Sequence, residues 1–461
     1  MSLAEDSTTL DHDELCALIE SLVREKKWQD LRAAVRRVPV PEIADVFPDL
    51  DKHDQVLAFH ALPRSIAADV FSYMELEQQN ELLANLTDED TRQLLANLRP
   101  DDRTQLLEEL PGQVTQRLLN LLSPEDLKEA RLLLGYPEES VGRLMTPDYV
   151  AVRPTWTAGE AIEHIRKKGR DSEIVSVLYI TDKSWKLLDS LSLRRLILAK
   201  PEQLVSELIT QSFVSISAFA DREEAVRLLA RYDLIALPVV DSDGILVGIV
   251  TVDDVLDVAE EEATEDFQKI GAVSPLKTSY REATVFALFQ KRIGWLVILV
   301  VVNLLSSGVI AAFEETLTAI IALAFFIPLL IGSGGNAGAQ AATLMVRAIA
   351  TDDVDLTDWL RVVGKEVGVG MLLGAAMGLT SISLGLLRGG VMIGVVVGLS
   401  MAAIILVANL IGTILPFILT RLNIDPAVAS SPLITTIADA TGLLIYFSIA
   451  TLFWQAGWIT V

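Results

Sequence analysis

Asp439 is the residue whose type stands out most sharply from its surroundings in this 461-residue chain. Between Asp425 and Val461 no other formal charge occurs, and the run Pro432–Tyr446 around it reads as an apolar helix. The segment is long enough to cross a bilayer, which takes about 20 apolar residues. An Asp at the centre of a spanning helix costs about 2.5–3.5 kcal/mol on insertion scales, and is tolerated chiefly where it faces a bundle interior or a wet path. Roughly mid-way along the segment, Asp439 is therefore expected to meet water or a cation, the alternative being a protonated or hydrogen-bonded carboxyl. Thr435, Thr436 and Thr441 bring hydroxyls near it, Gly442 admits another backbone, and no Lys or Arg shares the segment.

A second set of carboxylates is dense where the first is solitary. From Asp233 to Gln268 the chain carries eleven acids and no base, eight of them at Asp253, Asp254, Asp257, Glu260, Glu261, Glu262, Glu265 and Asp266. On a helix Asp254, Asp257, Glu261 and Glu265 share a face, and like charges at those spacings repel. Oxygen ligands without His or Cys suit Mg²⁺ or Ca²⁺ rather than zinc. Asp221, Glu223 and Asp233, around the preceding helix, are candidates to complete such sites. A solvated acidic face is the plain alternative.

These residues need elements to hold them, and the charge distribution shows where those elements lie. Residues 1–293 hold 53 acids and 33 bases, whereas 294–461 hold 9 and 5, so the net charge of −24 belongs to a soluble region and the apolar content to a membrane region. A strongly acidic soluble region argues against nucleic acid as a partner, since phosphate backbones demand clustered Lys and Arg. One cysteine, Cys16, excludes an intrachain disulfide framework, and the polar N-terminal segment does not read as a signal peptide, which points to a cytoplasmic soluble part.

Uncharged runs mark five spans, at Ile293–Phe313, Thr316–Val346, Val367–Leu387, Gly389–Thr420 and Pro426–Val461, the last interrupted only by Asp439. With the N-terminus inside, Lys291, Arg292, Arg347, Arg361, Lys365 and Arg421 fall on cytoplasmic sides and Arg388 alone outside, which puts the C-terminus outside. The second run would make a helix of about 46 Å against a hydrocarbon core of about 30 Å. Pro328 and the stretch Gly332-Ser333-Gly334-Gly335-Asn336-Ala337-Gly338-Ala339-Gln340 are the expected break, with irregular backbone lining a pore or cavity; close helix packing by small residues is the alternative.

Ahead of the spans, residues from about Pro41 to Leu122 repeat loosely every 11 to 13 positions, each unit a short helix, which predicts an all-α superhelical domain. A β-α-β-β-α pattern then occurs twice. The second copy carries Leu237-Pro238-Val239-Val240 and Gly248-Ile249-Val250-Thr251-Val252-Asp253-Asp254 and resembles a cystathionine-β-synthase (CBS) domain; the first lacks that Gly-x-x-Thr-x-x-Asp ending. Tandem CBS pairs are sensors more often than catalysts, and some bind adenosine nucleotides.

Taken together, the helical repeats, the CBS pair, the acidic helix, five spans, Gly334-Gly335-Asn336-x-Gly338-x-Gln340 and Thr435-Thr436-x-x-Asp439 resemble the MgtE family of bacterial magnesium channels and transporters, over nearly the whole chain. The resemblance implies a multidomain membrane protein: a helical superhelical N-terminal domain (1–135), tandem α/β CBS domains (136–200 and 201–258), a connecting plug helix (259–292) and a five-helix transmembrane domain (293–461). It implies a homodimer in the bacterial inner membrane with a pore on its two-fold axis, where Asp439, Asn336, Gly335, Thr435 and Thr436 meet the ion. Asp221, Glu223, Asp233, Asp254, Asp257, Glu262, Glu265 and Asp266 correspond to acids that take regulatory Mg²⁺, so that the channel closes when Mg²⁺ is plentiful, with ATP as a further ligand of the CBS domains. Ala339 departs from the family by standing where a polar residue is expected, and Gln105 follows Asp101 and Asp102, which weakens any metal bridge from the helical domain. Rival readings are a carrier for Mn²⁺ or Co²⁺ and a membrane-anchored nucleotide sensor. An enzyme finds no support: there is no Gly-x-x-x-x-Gly-Lys loop, no His-Glu-x-x-His and no intramembrane His or Cys.

Overall fold

The computed structural model describes residues 11–459, apart from 171, 211, 277–279, 281, 282, 352 and the side chain of 388, on which the outward placement of Arg388 rests. These residues form two compact units that divide between Glu260 and Glu261.

The first unit opens with ten short α-helices, from His12–Arg24 to Pro124–Leu133. Helices this short are marginal alone and gain their stability from packing an apolar edge against their neighbours. The packing follows a twelve-residue ladder. Val46, Ala58, Val70, Leu82, Leu94, Leu106, Leu118 and Ala130 are all buried, as are Phe47, Phe59, Phe71, Leu83, Leu95 and Leu107 beside them. Where the rungs are aromatic the rings meet edge to face, Phe47 on Phe59 at 6.2 Å and Phe59 on Phe71 at 6.4 Å. Side chains from one repeat satisfy carbonyls of another, as when Gln55 donates to Phe47 O at 2.8 Å and Gln79 to Phe71 O at 2.9 Å.

The two α/β copies follow, each a three-stranded sheet with one parallel and one antiparallel pairing: β1 (Ala151–Val152), β2 (Val177–Thr181) and β3 (Leu187–Ser192), then β4 (Ile216–Ser217), β5 (Ala236–Val240) and β6 (Leu246–Thr251). The crossover helices are Ala158–Lys168, closed by a Thr157/Glu160 capping box, and Arg222–Tyr232, capped by Asp221. A shared core of Tyr179, Leu187, Leu246 and Ile249 joins the copies, and the Tyr149 hydroxyl crosses between them to donate to Leu246 O at 2.9 Å.

β6 runs into the helix Val252–Ile270, which carries the acidic run. The connecting helix expected over 259–292 does not form as a single helix. The helix stops at Ile270, Ala272 takes a left-handed φ of 57°, and the first span starts afresh at Val285, capped by Thr284.

The second unit contains five helices long and apolar enough to cross a membrane, at Val285–Ala312, Ile321–Ala350, Leu356–Leu387, Gly389–Arg421 and Ser431–Gln455. The third and fourth run on as one stretch broken only at Gly390, whose φ of 81° turns the chain at a point few other residues accept. The second span corrects an expectation. Gly332–Gln340 lies inside a continuous α-helix, Ile327–Ala350, and Pro328 sits in its first turn, where a missing N–H costs no hydrogen bond. The length problem is met earlier, by a short helix Glu314–Ala319 and 3₁₀ turns over Ile321–Phe326.

Candidate ion pathway and acid clusters

The glycines of the second span serve packing. A Cβ on Gly335 would sit 2.7 Å from Thr435 Cγ2, and one on Gly338 would sit 2.9 Å from Ile434 Cγ2, so only bare backbone lets this helix lie against the last one. The fourth span closes the other side, with Ala408 against Gly338. The face of Ile327–Ala350 bearing Gly334, Gly335, Ala337, Gly338, Ala341 and Ala342 is buried, while Gly332, Asn336, Gln340 and Thr343 form an exposed stripe at helical spacing. Polar side chains in a spanning helix are costly against lipid. Gly335 therefore acts through its bare backbone, and Asn336 as an exposed amide on the opposite face. Ala339 is half-buried, and its carbonyl accepts the Thr343 hydroxyl at 2.9 Å.

Asp439 lies one turn beyond Thr435, on the helix Ser431–Gln455. It is the ninth of 25 residues, about a third of the way along instead of mid-way, because the helix begins only after a 3₁₀ turn at Pro426–Val428. Its Oδ1 is buried and makes no hydrogen bond among the described residues. The nearby hydroxyls do not serve it: Thr435 donates to Ser431 O, Thr436 to Pro432 O and Thr441 to Ile437 O, at 2.8, 2.8 and 2.9 Å. With their protons turned back on the helix, these hydroxyls keep only oxygen lone pairs for a neighbour. The helix thus offers a carboxylate and oxygen acceptors without a cationic side chain, a donor set suited to a hard cation.

The acids of the connecting helix do not act as one face; they divide between its ends. In the first unit, Asp254 takes a hydrogen bond from Thr251 Oγ1 at 2.6 Å. Beside it is Asp101, only 7 % exposed, whose Oδ1 lacks a hydrogen-bond partner among the described residues. Burial first, then the charges of Asp254, Asp102 and Glu173, hold Asp101 well above the carboxylate range. Burial pushes Asp254 up to about 7 against the Thr251 hydrogen bond, and Asp102 up to about 6 against Arg99. Arg99 is ion-paired with Glu173. Asp101 thus joins the cluster despite Gln105.

At the other end, in the second unit, Lys269 Nζ donates to Asp425 Oδ2 at 2.6 Å and is ion-paired with Glu265. Burial opposes its charge, but these two carboxylates outweigh burial and raise its pKa. Asp266 is raised by burial and by Asp425. Next to this clasp Ile270 packs on Val346, Ala427 and Ala429, so the helix end is anchored to the turn that leads into the Asp439 helix. Asp257 and Glu261 lie exposed between the two ends, and Glu262 is half-buried with a partner of its own.

Asp221, Glu223 and Asp233 do not converge. Asp221 caps the start of Arg222–Tyr232 by accepting from Glu223 N at 2.9 Å, and Asp233 ends the same helix at a φ of 51°. Twelve residues at 1.5 Å each separate Asp221 from Asp233 by about 18 Å, too far to share an ion. Among the described residues no three acid, His or Cys groups converge to hold a metal. Pairs of carboxylates nonetheless suit Mg²⁺, which keeps several waters and accepts one or two carboxylates. Sequence reasoning passed over Asp425 and Lys269, which lie 156 positions apart; the one hint was an acid placed just before Pro426.

Comparison with known proteins places these features. The family described as divalent cation transporter, MgtE, matches residues 327–449; the MgtE intracellular N domain matches 38–139; and the CBS domain matches 141–202 and 205–261. The magnesium transporter MgtE of Thermus thermophilus is 41% identical over 447 residues, covering 96% of this chain and 99% of its own. That of Bacillus subtilis is 33% identical over 445 residues, covering 96% and 98%. Among solved structures, the cytosolic domain of the Mg²⁺ channel MgtE in complex with ATP gives a TM-score of 0.51 at 35% identity, over 53% of this chain and 99% of that one. The soluble part of a magnesium transporter gives 0.53 at 27%, over 55% and 100%.

Proposed function

The chain belongs to the MgtE family of magnesium transporters, and from that premise we propose that Asp439 is its ion-facing carboxylate, in a channel that its own cargo closes. The observation that carries this reading is the unpartnered Asp439 Oδ1 in a helix with no other charge, packed against a span whose far face is polar. In a homodimer, two Asp439 carboxylates face one axis and hold a Mg²⁺ ion that keeps its water shell, which one carboxylate per chain is enough to do, while the Asn336 amide, on the far face of the second span, meets the partner chain away from the ion. Pairing of two chains also takes the polar stripe out of lipid.

Closure is assigned to the two acid clusters. When Mg²⁺ is scarce, Asp101, Asp102 and Asp254 repel one another, and Lys269 is the cation that Glu265 and Asp425 share. When Mg²⁺ is plentiful it neutralises both groups and favours the closed state, and several ions bound together make the response steep. Asp257 and Glu262 add to the field between the two ends, and Asp221, Glu223 and Asp233 act singly. The soluble unit faces the cytoplasm and the spans sit in the inner membrane. The CBS pair is the part that answers to nucleotide, as the ATP complex of the relative's cytosolic domain suggests.

The test is Mg²⁺ flux into liposomes holding wild type or Asp439→Ala, with Mg²⁺ varied on the side of the soluble unit. Flux lost in the variant, and suppressed in wild type by added Mg²⁺, is the expected result. Flux that survives Asp439→Ala would overturn the assignment, and flux from neither protein would favour an anchored sensor.

A further inference from the structure

Glu366 immediately precedes the uncharged run Val367–Leu387 of the third span, where a charge reads as an ordinary membrane-edge residue. The structure gives it an inward task. Asn409 Nδ2 of the fourth span donates to Glu366 Oε2 at 2.7 Å and to the Glu366 main-chain carbonyl at 3.1 Å. Asn409 is only 3 % exposed, and the fourth span carries no formal charge between Gly389 and Arg421. Both bonds of the buried amide nitrogen therefore go to this one residue. A hydrogen bond to an ionised carboxylate is roughly twice as strong as one between neutral groups, and removing the carboxylate leaves a buried donor proton unpaired.

The bond falls where the two spans need it. At one end they are joined at Gly390 without a loop. Along their length bare backbones touch: a Cβ on Gly378 would sit 2.8 Å from Gly398 O, and one on Gly374 would sit 2.7 Å from Ala402 O. Such contacts bring helices close but supply no interlocking side chains to resist splaying. Glu366 and Asn409 clamp the open end. Past the clamp the fourth span weakens, because Pro416 has no N–H to give the Gly412 carbonyl. On either side of Asn409 lies the surface that reaches the ion pathway. Ala408 sits against Gly338, a Cβ on Gly412 would strike the Gly338 carbonyl, and Gly338 packs in turn on Ile434 of the helix that carries Asp439. We propose that Glu366 is a positioning residue for ion conduction: through Asn409 it fixes the fourth span against the second, and so sets how the Asp439 helix is seated. Glu366 acts through Asn409 and does not touch the ion. The inference rests on the reading of Asp439 as the ion-facing carboxylate.

The experiment is Mg²⁺ flux into liposomes holding the full-length protein as wild type, Glu366→Ala, Glu366→Gln, Asn409→Asp or Asp439→Ala, at about pH 5 and about pH 8. Glu366→Ala is expected to lose flux roughly tenfold at both values, with Glu366→Gln within about threefold of wild type because its side-chain oxygen accepts the same amide proton. Asn409→Asp sets a second carboxylate against Glu366. The two repel when both are ionised and share a proton when one is protonated. Flux of this variant relative to wild type is therefore expected to be low at the higher pH and to rise about fivefold or more at the lower. Taking the ratio at each pH cancels the titration of Asp358 and Asp439, which both proteins carry, while Arg361, Lys365 and Arg421 stay charged throughout. Recovery at acid pH also shows that the variant is folded, so Asn409→Asp decides alone if Glu366→Ala does not assemble. The proposal is overturned if Glu366→Ala conducts within about twofold of wild type, or if the Asn409→Asp ratio is flat across pH. Loss in Glu366→Gln equal to that in Glu366→Ala overturns it too, since the charge itself would then act on the ion. Flux that survives Asp439→Ala sinks the ion-site reading and leaves the clamp results standing, whereas dependence on Asp439 without dependence on Glu366 sinks the clamp alone.

Discussion

Two helices of this protein hold their acids in opposite ways. Val252–Ile270 carries eight acids and one base, and most of them face water or find partners at the helix ends. Ser431–Gln455 carries one acid among 25 residues, with a buried oxygen and no hydrogen-bond partner among the described residues. Like charges along an exposed helix cost only a few tenths of a kcal/mol per pair, whereas one carboxylate among apolar neighbours costs several times more. The lesson is that surroundings weigh more than number. The dense run spreads its cost over many exposed charges, and the solitary residue concentrates it at one point, which is why Asp439 is the one proposed as the site.

The strongest way to break this comparison is to exchange losses between the helices. Asp439→Ala is expected to lower Mg²⁺ flux by about 100-fold or more while leaving the melting temperature unchanged or higher, since an uncompensated carboxylate disappears. Asp257→Asn, on the exposed part of the acidic helix, should change flux by less than about twofold. Equal losses would erase the distinction. The comparison sharpens at the first acid cluster, where the acidic helix meets Asp101: Asp101→Asn combined with Asp254→Asn should raise the Mg²⁺ concentration for half-closure by roughly tenfold with conduction intact. An unmoved midpoint in liposome flux would remove the first cluster from regulation.

A smaller effect concerns protons. Asp254 is raised from 3.8 to about 7 by burial, and Asp102 to about 6. Between about pH 4 and 7 the folded state thus holds protons that the unfolded chain has released, so stability without Mg²⁺ should fall as pH rises through that window. Added Mg²⁺ should offset the loss at pH 8 and do little at pH 5; melting curves in EDTA and in Mg²⁺ check both. Smallest is the clasp. Lys269→Met should cost about 1 kcal/mol without Mg²⁺, and the variant should gain more stability from Mg²⁺ than wild type, because Glu265 and Asp425 are left without their shared cation.

Much of this was legible residue by residue. Uncharged runs mark the spans because lipid excludes charge, and the fourth matches to within one residue at Arg421. Asp439 declares itself by isolation. The glycine-rich stretch misleads, because glycine equally permits an irregular backbone and a close helix contact, and Thr435, Ile434 and Ala408, which decide between them, lie far along the chain. The acids divided for the same reason: Asp254 lies beside Asp101, and Glu265 shares Lys269 with Asp425, and neither Asp101 nor Asp425 is local to the helix. Helical spacing describes one helix surface and says nothing of what lies opposite.

The twelve-residue ladder makes the helical domain a measuring rod as well as a scaffold. Its rungs repeat at the same pitch from Val46 to Ala130, so one whole repeat removed or inserted leaves every core position occupied by an equivalent side chain. What changes is which acids stand at a given height, since Asp101 and Asp102 occur in one repeat while the next begins with Pro111 and Gly112. One repeat more or less is therefore a structurally mild change that shifts the acids along the domain without rebuilding the core that carries them.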